Sequence, residues 1–322
     1  MNLAGDAILS CVNVTKPYVG TSSERAARRG YGVMELWFVF SLSTAFLWGF
    51  GGVLAKVSTP KLGMARVSTL IFVVEGVMYV AGFLLWRTIT TIDLGYALLA
   101  VVSAILGVTA YLFFFESVME GQVAVVGTIS AAFPCLTVVG ALAFLSESPT
   151  AAQLIGVGAI ICGIVALAYE PNPQSHSAVP HRSLIFALLA FAFWGLWSLT
   201  NKIVVDKIGA GNVFGFYVVA TTIVPLIYIW YRSTGDEPSK VDPSWTAWVA
   251  GASGLAINVF GTFAFTFALS MGLASLVVPI SSAYPIVTVA AALLLLHERL
   301  NRVQVAALAC VIAGILMIAI IS

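Results

Sequence analysis

Charge is the scarcest thing in this sequence: Lys, Arg, Asp and Glu together make up 9% of 322 residues, while 60% are hydrophobic. A soluble domain carries about 25% charged residues, so there is too little polar surface here to cover a water-soluble globule. Net charge is +1, which leaves no basic surface for nucleic acid. Cysteine is sparse too. Cys11, Cys135, Cys162 and Cys310 stand apart, three of them inside apolar runs, with neither a disulfide framework nor metal-ligand spacing. The histidines His176, His181 and His297 lie far apart in or beside loops. No cluster of His, Asp or Glu near an interface offers the groups a membrane-embedded enzyme needs. The expectation is no catalytic residue, no metal and no cofactor. Residues 1–33 hold Lys16, Arg25, Arg28 and Arg29 among Ser, Thr and Gly, without an apolar core long enough for a signal peptide. They read as a disordered N-terminal tail. Asp6 and Glu24 weaken the alternative of an organellar transit peptide.

What is there is apolar length. Ten runs have the length and composition of transmembrane helices, at about 36–57, 64–86, 94–115, 122–145, 151–169, 183–205, 212–231, 245–269, 273–296 and 302–321. The proline-bearing segment 171–182 separates residues 34–170 from residues 183–322.

The two halves repeat each other. Shifted by 151 positions, Gly121, Ser130, Pro134, Thr137, Glu147 and Gln153 meet Gly272, Ser281, Pro285, Thr288, Glu298 and Gln304. Shifted by 146, Trp48, Gly49, Lys56, Lys61 and Gly63 meet Trp194, Gly195, Lys202, Lys207 and Gly209. Ungapped self-similarity over more than thirty residues signals internal duplication. Each unit holds five spans, an odd number, so the second copy enters the membrane upside down relative to the first. The expected fold is an all-α membrane protein of ten transmembrane helices, built as two inverted five-helix repeats. Basic residues number seven on one side of that arrangement and eight on the other, because the duplicated lysines land on opposite faces. The positive-inside rule therefore barely decides orientation, and the four basic residues of the tail place the N-terminus inside.

Trp48-Gly49 followed by Lys56, the thirteen-residue step from proline to glutamate, and Thr150-Ala151-Ala152-Gln153 resemble the EamA-type permeases of the drug/metabolite transporter superfamily. The second half resembles them further in residues 272–279 and in His297-Glu298-Arg299-Leu300-Asn301. The resemblance implies ten helices in two inverted repeats, cytoplasmic termini, and transport of small organic metabolites by alternating access. This chain departs from the family pattern at Ser146-Glu147-Ser148-Pro149, and at Phe72, where many members carry arginine.

Several residues are candidates for the chemistry. Pro134 and Pro285 remove a backbone donor and push away the carbonyls of Ser130 and Ser281, four residues back. In lipid those carbonyls need protein, a hydroxyl or a wet cavity. Either the broken helices line a solute pathway, or they are packing kinks patched by the serine hydroxyls. Glu75 sits at the midpoint of its span, where a carboxylate costs roughly 2.5–3.5 kcal/mol on insertion scales. It is the proton-coupling candidate, the alternative being a neutral structural carboxyl; its repeat equivalent is Thr221. Tyr111 and Asn258 are placed to hydrogen-bond a solute, and Trp48 and Trp194 to line the cavity, against packing roles for all four. Lys56 and Lys202 read as snorkelling helix ends, with anion attraction as the alternative. Glu147 and Glu298 precede Thr/Asn-x-x-Gln capping boxes and read as structural latches of their own hairpins.

The function expected is a permease for a small organic solute in the plasma or inner membrane, with H⁺ coupling and an organelle membrane as open alternatives. A facilitative channel or a non-transporting membrane partner is the competing class. The partners expected are the solute and the lipid bilayer, with a homodimer left open.

Overall fold

Helix is the only regular structure among the described residues, which in the computed structural model are 35–88, 91–120, 129–167, 180–233, 244–287, 290 and 301–321. In chain order the helices are α1 (Leu36–Leu62), α2 (Met64–Trp86), α3 (Leu94–Glu120), α4 (Ile129–Phe144) and α5 (Ala151–Leu167). After the linker come α6 (His181–Ile208), α7 (Ala210–Ser233), α8 (Trp245–Met271), α9 (Ala274–Val287) and α10 (Arg302–Ile321). Seven of them (α1, α2, α3, α6, α7, α8 and α10) are long and apolar enough to cross a membrane; α4, α5 and α9 are shorter apolar helices. The expected fourth and ninth spans include residues 122–128, 288–289 and 291–296, which, like the tail 1–33, lie outside the described residues.

Two helices run further than the hydrophobic pattern indicates. α1 continues through Pro60 to Leu62, and α6 continues to Ile208. Each stops at a glycine with positive φ, Gly63 at 76° and Gly209 at 83°, whose N–H closes the last turn on Thr59 O and Val205 O, both at 2.9 Å. Such a C-terminal stop strongly favours glycine, and the two glycines hold equivalent positions in the repeat.

The helices pair across the halves. On α1 and α8, Trp48 lies against Gly261, Gly51 against Gly254, and Leu62 against Gly251, so the two run in opposite directions. On α3 and α6, Gly107 meets Trp197, and Ser183 donates to Ser117 O at 2.9 Å. On α2 and α7, Tyr79 stacks on Tyr217 (centroids 4.9 Å apart), and Trp86 carbonyl meets Gly211. On α5 and α10, Gly156 faces Gly314, and Gly163 faces Ala307 and Val311. In every case numbering rises on one helix as it falls on the other. Small residues at these crossings let backbones approach, as expected where no hydrophobic driving force separates helix from lipid.

The outer surface carries many large apolar side chains, among them Phe144 at 79% and Ile320 at 83% exposure. Several buried hydroxyls are satisfied within their own helices: Ser41 donates to Trp37 O, Ser198 to Trp194 O and Thr266 to Thr262 O, at 2.7–2.8 Å. These features suit a hydrocarbon surrounding, which offers polar groups no partner.

The α5–α10 crossing gives a direct test. A Cβ at Gly163 would stand 2.4 Å from Val311 Cγ2 and 2.8 Å from Ala307 O, whereas one at Gly158 meets nothing within 4 Å. Gly163→Leu is expected to cost about 1–3 kcal/mol through overpacking and to lower the melting temperature in detergent. Gly158→Leu is expected to leave it nearly unchanged.

Candidate functional site

Proline breaks both short helices where the repeat places it. In α4 a turn at Ala132 interrupts the ladder, and Pro134 sits in the first turn of the following segment, Phe133–Phe144. Ala132 N–H reaches Ile129 O at 3.3 Å and Cys135 N–H reaches Ala132 O at 2.9 Å, so tight three-residue turns replace α-helical ones. In α9 the segment Ala274–Ser281 ends in the same kind of turn, with Ala283 N–H on Ile280 O (3.1 Å) and Ile286 N–H on Ala283 O (3.0 Å) before and after Pro285. The hydroxyl bonds found at this break involve other groups: Ser282 Oγ donates to Val278 O (2.8 Å) and Pro279 O (2.9 Å), not to the Ser281 carbonyl. Ser281 Oγ is buried without a hydrogen-bond partner among the described residues.

Each break leans on the Trp-Gly pair of the opposite half. A Cβ at Gly49 would stand 2.9 Å from Tyr284 O and 2.5 Å from Val287 Cβ. A Cβ at Gly195 would stand 2.7–2.9 Å from the Leu136 side chain. Thr137 Oγ1 donates to Gly195 O at 3.2 Å, tying α4 to α6. The duplicated glycines are therefore the seats of the duplicated breaks.

Between these seats lies a cavity of about 590 Å³, within the range of small-molecule sites. Of the sequence-derived candidates, Trp48, Glu75, Tyr111, Trp194 and Asn258 line it. Ser130, Pro134, Ser281 and Pro285 do not; the residue before each proline, Phe133 or Tyr284, faces the cavity instead. The walls are chiefly aromatic. Trp194 packs on Phe114 (centroids 5.3 Å), Phe133 (5.8 Å) and Tyr111 (6.3 Å), while Trp48 and Trp197 both lie 5.1 Å from Phe265. Two hydrogen bonds fix the polar edges. Trp197 Nε1 donates to Tyr217 Oη at 2.5 Å, and Asn258 Nδ2 donates to Tyr111 Oη at 3.1 Å.

Glu75 is the acidic residue of the lining. It closes a π-helical turn, Ile71–Glu75, inside α2. Such a bulge adds a residue to the turn and is frequent at functional sites. Gly76 N–H reaches back to Ile71 O, five residues earlier. Tyr79, Tyr111 and Tyr217 line the same cavity as the Glu75 carboxyl. Thr221, its repeat equivalent, donates instead to Tyr217 O at 2.9 Å in the regular helix α7.

The latches sit differently from the sequence reading. Both capping boxes form, Thr150 with Gln153 and Asn301 with Gln304, each bonded in both directions at 2.9–3.2 Å. Glu147, however, serves the other half rather than its own hairpin. Its carboxylate accepts from Ala274 N–H (2.7 Å), Ser275 N–H (2.8 Å) and Ser275 Oγ (2.6 Å) at the N-terminus of α9. A helix N-terminus has unpaired donors and a positive dipole end, and proximity in sequence did not reveal which N-terminus would be nearest. Lys202 is engaged by Asp206 (2.9 Å) and donates to Leu269 O (2.8 Å) near the end of α8. Glu298 and the side chain of Lys56 lie outside the described residues.

Sequence reasoning missed Tyr217, Tyr284 and Phe133 as lining residues. The signal for the last two was present: aromatic residues precede both duplicated prolines. It also missed Glu116, a buried carboxyl in the last turns of α3 that accepts from Tyr228 Oη.

An all-helical chain with an apolar exterior and an interior cavity shared by its halves has the architecture of a multi-pass membrane protein. A family model, the EamA-like transporter family, matches it twice, over residues 35–169 and 181–320. The chain belongs to that family. An uncharacterized protein of Methanocaldococcus jannaschii is 27% identical over 134 residues, which are 42% of this chain and 97% of that relative. That relative thus has nearly the length of one half. A protein of known crystal structure superposes on 90% of this chain and 100% of its own, with a TM-score of 0.72 at 17% identity, and so shares its fold.

The Glu147 clamp carries a prediction. Glu147→Ala, which leaves the α9 N-terminus without three charge-assisted bonds, is expected to cost about 1.5–3 kcal/mol, read as a lower midpoint of thermal unfolding in detergent. Glu147→Gln, which keeps one acceptor, is expected to fall between the two.

Proposed function

We propose that this chain is a secondary transporter that carries a small organic solute through the aromatic cavity by alternating access. The observation that carries this reading is the cavity itself: a chamber of about 590 Å³ walled by helices of both halves and bounded by two broken helices. The expected ten-span, inverted-repeat architecture is supported by the double family match and by the pairing of α1 with α8, α2 with α7, α3 with α6 and α5 with α10 in opposite directions. Two copies related by an in-plane two-fold are built to exchange shapes, so that the seat closed by one half opens as the other closes. The termini are proposed to be cytoplasmic and the membrane that of the cell.

Within the cavity, Asn258 and Tyr111 would orient the solute through hydrogen bonds, with Trp48 and Trp194 packing its apolar face. Glu75 would couple transport to protons. Among the described residues neither a basic side chain nor a hydrogen bond offsets its removal from water, so its charge is free to respond to what enters the cavity. We assign the chain no enzymatic role; among the described residues no group of three or more His, Cys, Asp or Glu gathers.

Reconstitution into proteoliposomes tests this. Uptake of a panel of labelled solutes, with and without a pH gradient, is expected to reveal a saturable substrate whose accumulation follows the gradient. Glu75→Gln is expected to abolish the effect of the gradient, and Asn258→Ala to raise the half-saturation concentration about tenfold, the effect of roughly 1.4 kcal/mol of lost binding. Movement of no solute at all would remove the transport reading. Uptake that never saturates would favour a channel.

A further inference from the structure

The cavity also carries information about the charge of its occupant. Among its described lining residues there is one ionisable acid, Glu75, and neither lysine, arginine nor histidine. Its largest side chains are aromatic, Trp48, Trp194 and Trp197 with four tyrosines and three phenylalanines, beside small, aliphatic and uncharged polar residues. Aromatic faces carry negative potential and attract cations, most strongly where water is excluded, and quaternary ammonium ligands are recognised by such cages. An anion placed here would face a carboxylate and ring faces of the same sign. From this juxtaposition, and resting on the transport reading above, we infer that the solute is an organic cation: an ammonium group bearing apolar substituents, held by the Glu75 carboxylate and the surrounding aromatic rings.

The details favour an organic cation over a metal ion. A hard cation requires several oxygen ligands, and among the described residues no cluster of His, Cys, Asp or Glu provides them. A small hydrated ion would exchange its water for ring edges and gain little. An alkylammonium instead brings apolar surface to match the tryptophan walls and spreads its charge over methyl groups that suit ring faces. The polar groups present are few and already oriented. Tyr217 Oη accepts from Trp197, and Tyr111 Oη accepts from Asn258 Nδ2. Among the described residues both phenol protons and the side-chain carbonyl of Asn258 are left to serve a hydroxyl, carbonyl or amine elsewhere on the solute. Glu75 stands on the π-helical turn and has no equivalent carboxyl in the second half, where Thr221 takes its place. One carboxylate in one cavity matches a monocation.

Binding reads this without requiring transport. The full-length protein in nanodiscs is titrated by tryptophan fluorescence with three probes: benzyltrimethylammonium, its neutral carbon isostere neopentylbenzene, and benzoate, each corrected against empty nanodiscs. The expected ranking is saturable binding of the cation at least tenfold tighter than the isostere, with no binding of benzoate. Glu75→Gln is expected to cut the difference between cation and isostere at least severalfold, leaving the part the rings supply, and Trp194→Leu to weaken the cation with Glu75 intact. Equal binding of cation and isostere, binding of benzoate, or a preference undiminished by Glu75→Gln would overturn the inference. The ranking in the unmodified protein decides even if a variant does not fold. Cation preference in a protein that moves no solute would remove the transport reading alone; saturable transport of neutral or anionic solutes without that preference would remove only this one.

Discussion

A backbone carbonyl freed by proline has no solvent to turn to inside a membrane, and most of this structure answers that constraint. α4 and α9 each break at a proline, and each break closes with tight turns, a hydroxyl bond, or contact with a helix of the opposite half. The contact is close because Gly49 and Gly195 carry no side chain. Tryptophan precedes each glycine, so the place where a broken helix is seated is also where a large ring is delivered to the cavity. Seat and wall are made by one dipeptide.

The cavity follows from that seating. Its rings are held by one another and by two polar bonds: Trp197 to Tyr217, joining two helices of the second half, and Asn258 to Tyr111, joining one half to the other. Glu147 makes a further link across the halves, from the turn after α4 to the start of α9. The halves are thus joined by contacts that are individually modest and sit at the ends and middles of helices, while the outward faces are left to lipid.

The sequence made the architecture legible because membrane burial writes itself as apolar length and duplication writes itself as equal spacing. The glycine stops at Gly63 and Gly209, both capping boxes and the proline breaks all stood in the repeat. The site was less legible. Ser130 and Ser281 were natural candidates, being one turn before each proline, but both are buried away from the cavity, and the aromatic residue adjoining each proline faces it. A turn inserted at the break rotates the following side chains, which helical spacing alone does not foretell. The partner of Glu147 was hidden for another reason: a carboxylate selects the nearest unpaired N–H groups in space, and those lie 127 positions away.

The two halves agree in their seats, stops and caps, yet differ where Glu75 of α2 is matched by Thr221 of α7. Thr221 is buried in α7 and does not line the chamber, so the carboxylate there comes from the first half alone. Joining the halves in a single chain lets each copy vary alone, so one wall of the chamber can carry an acid that the matching position of the other half lacks.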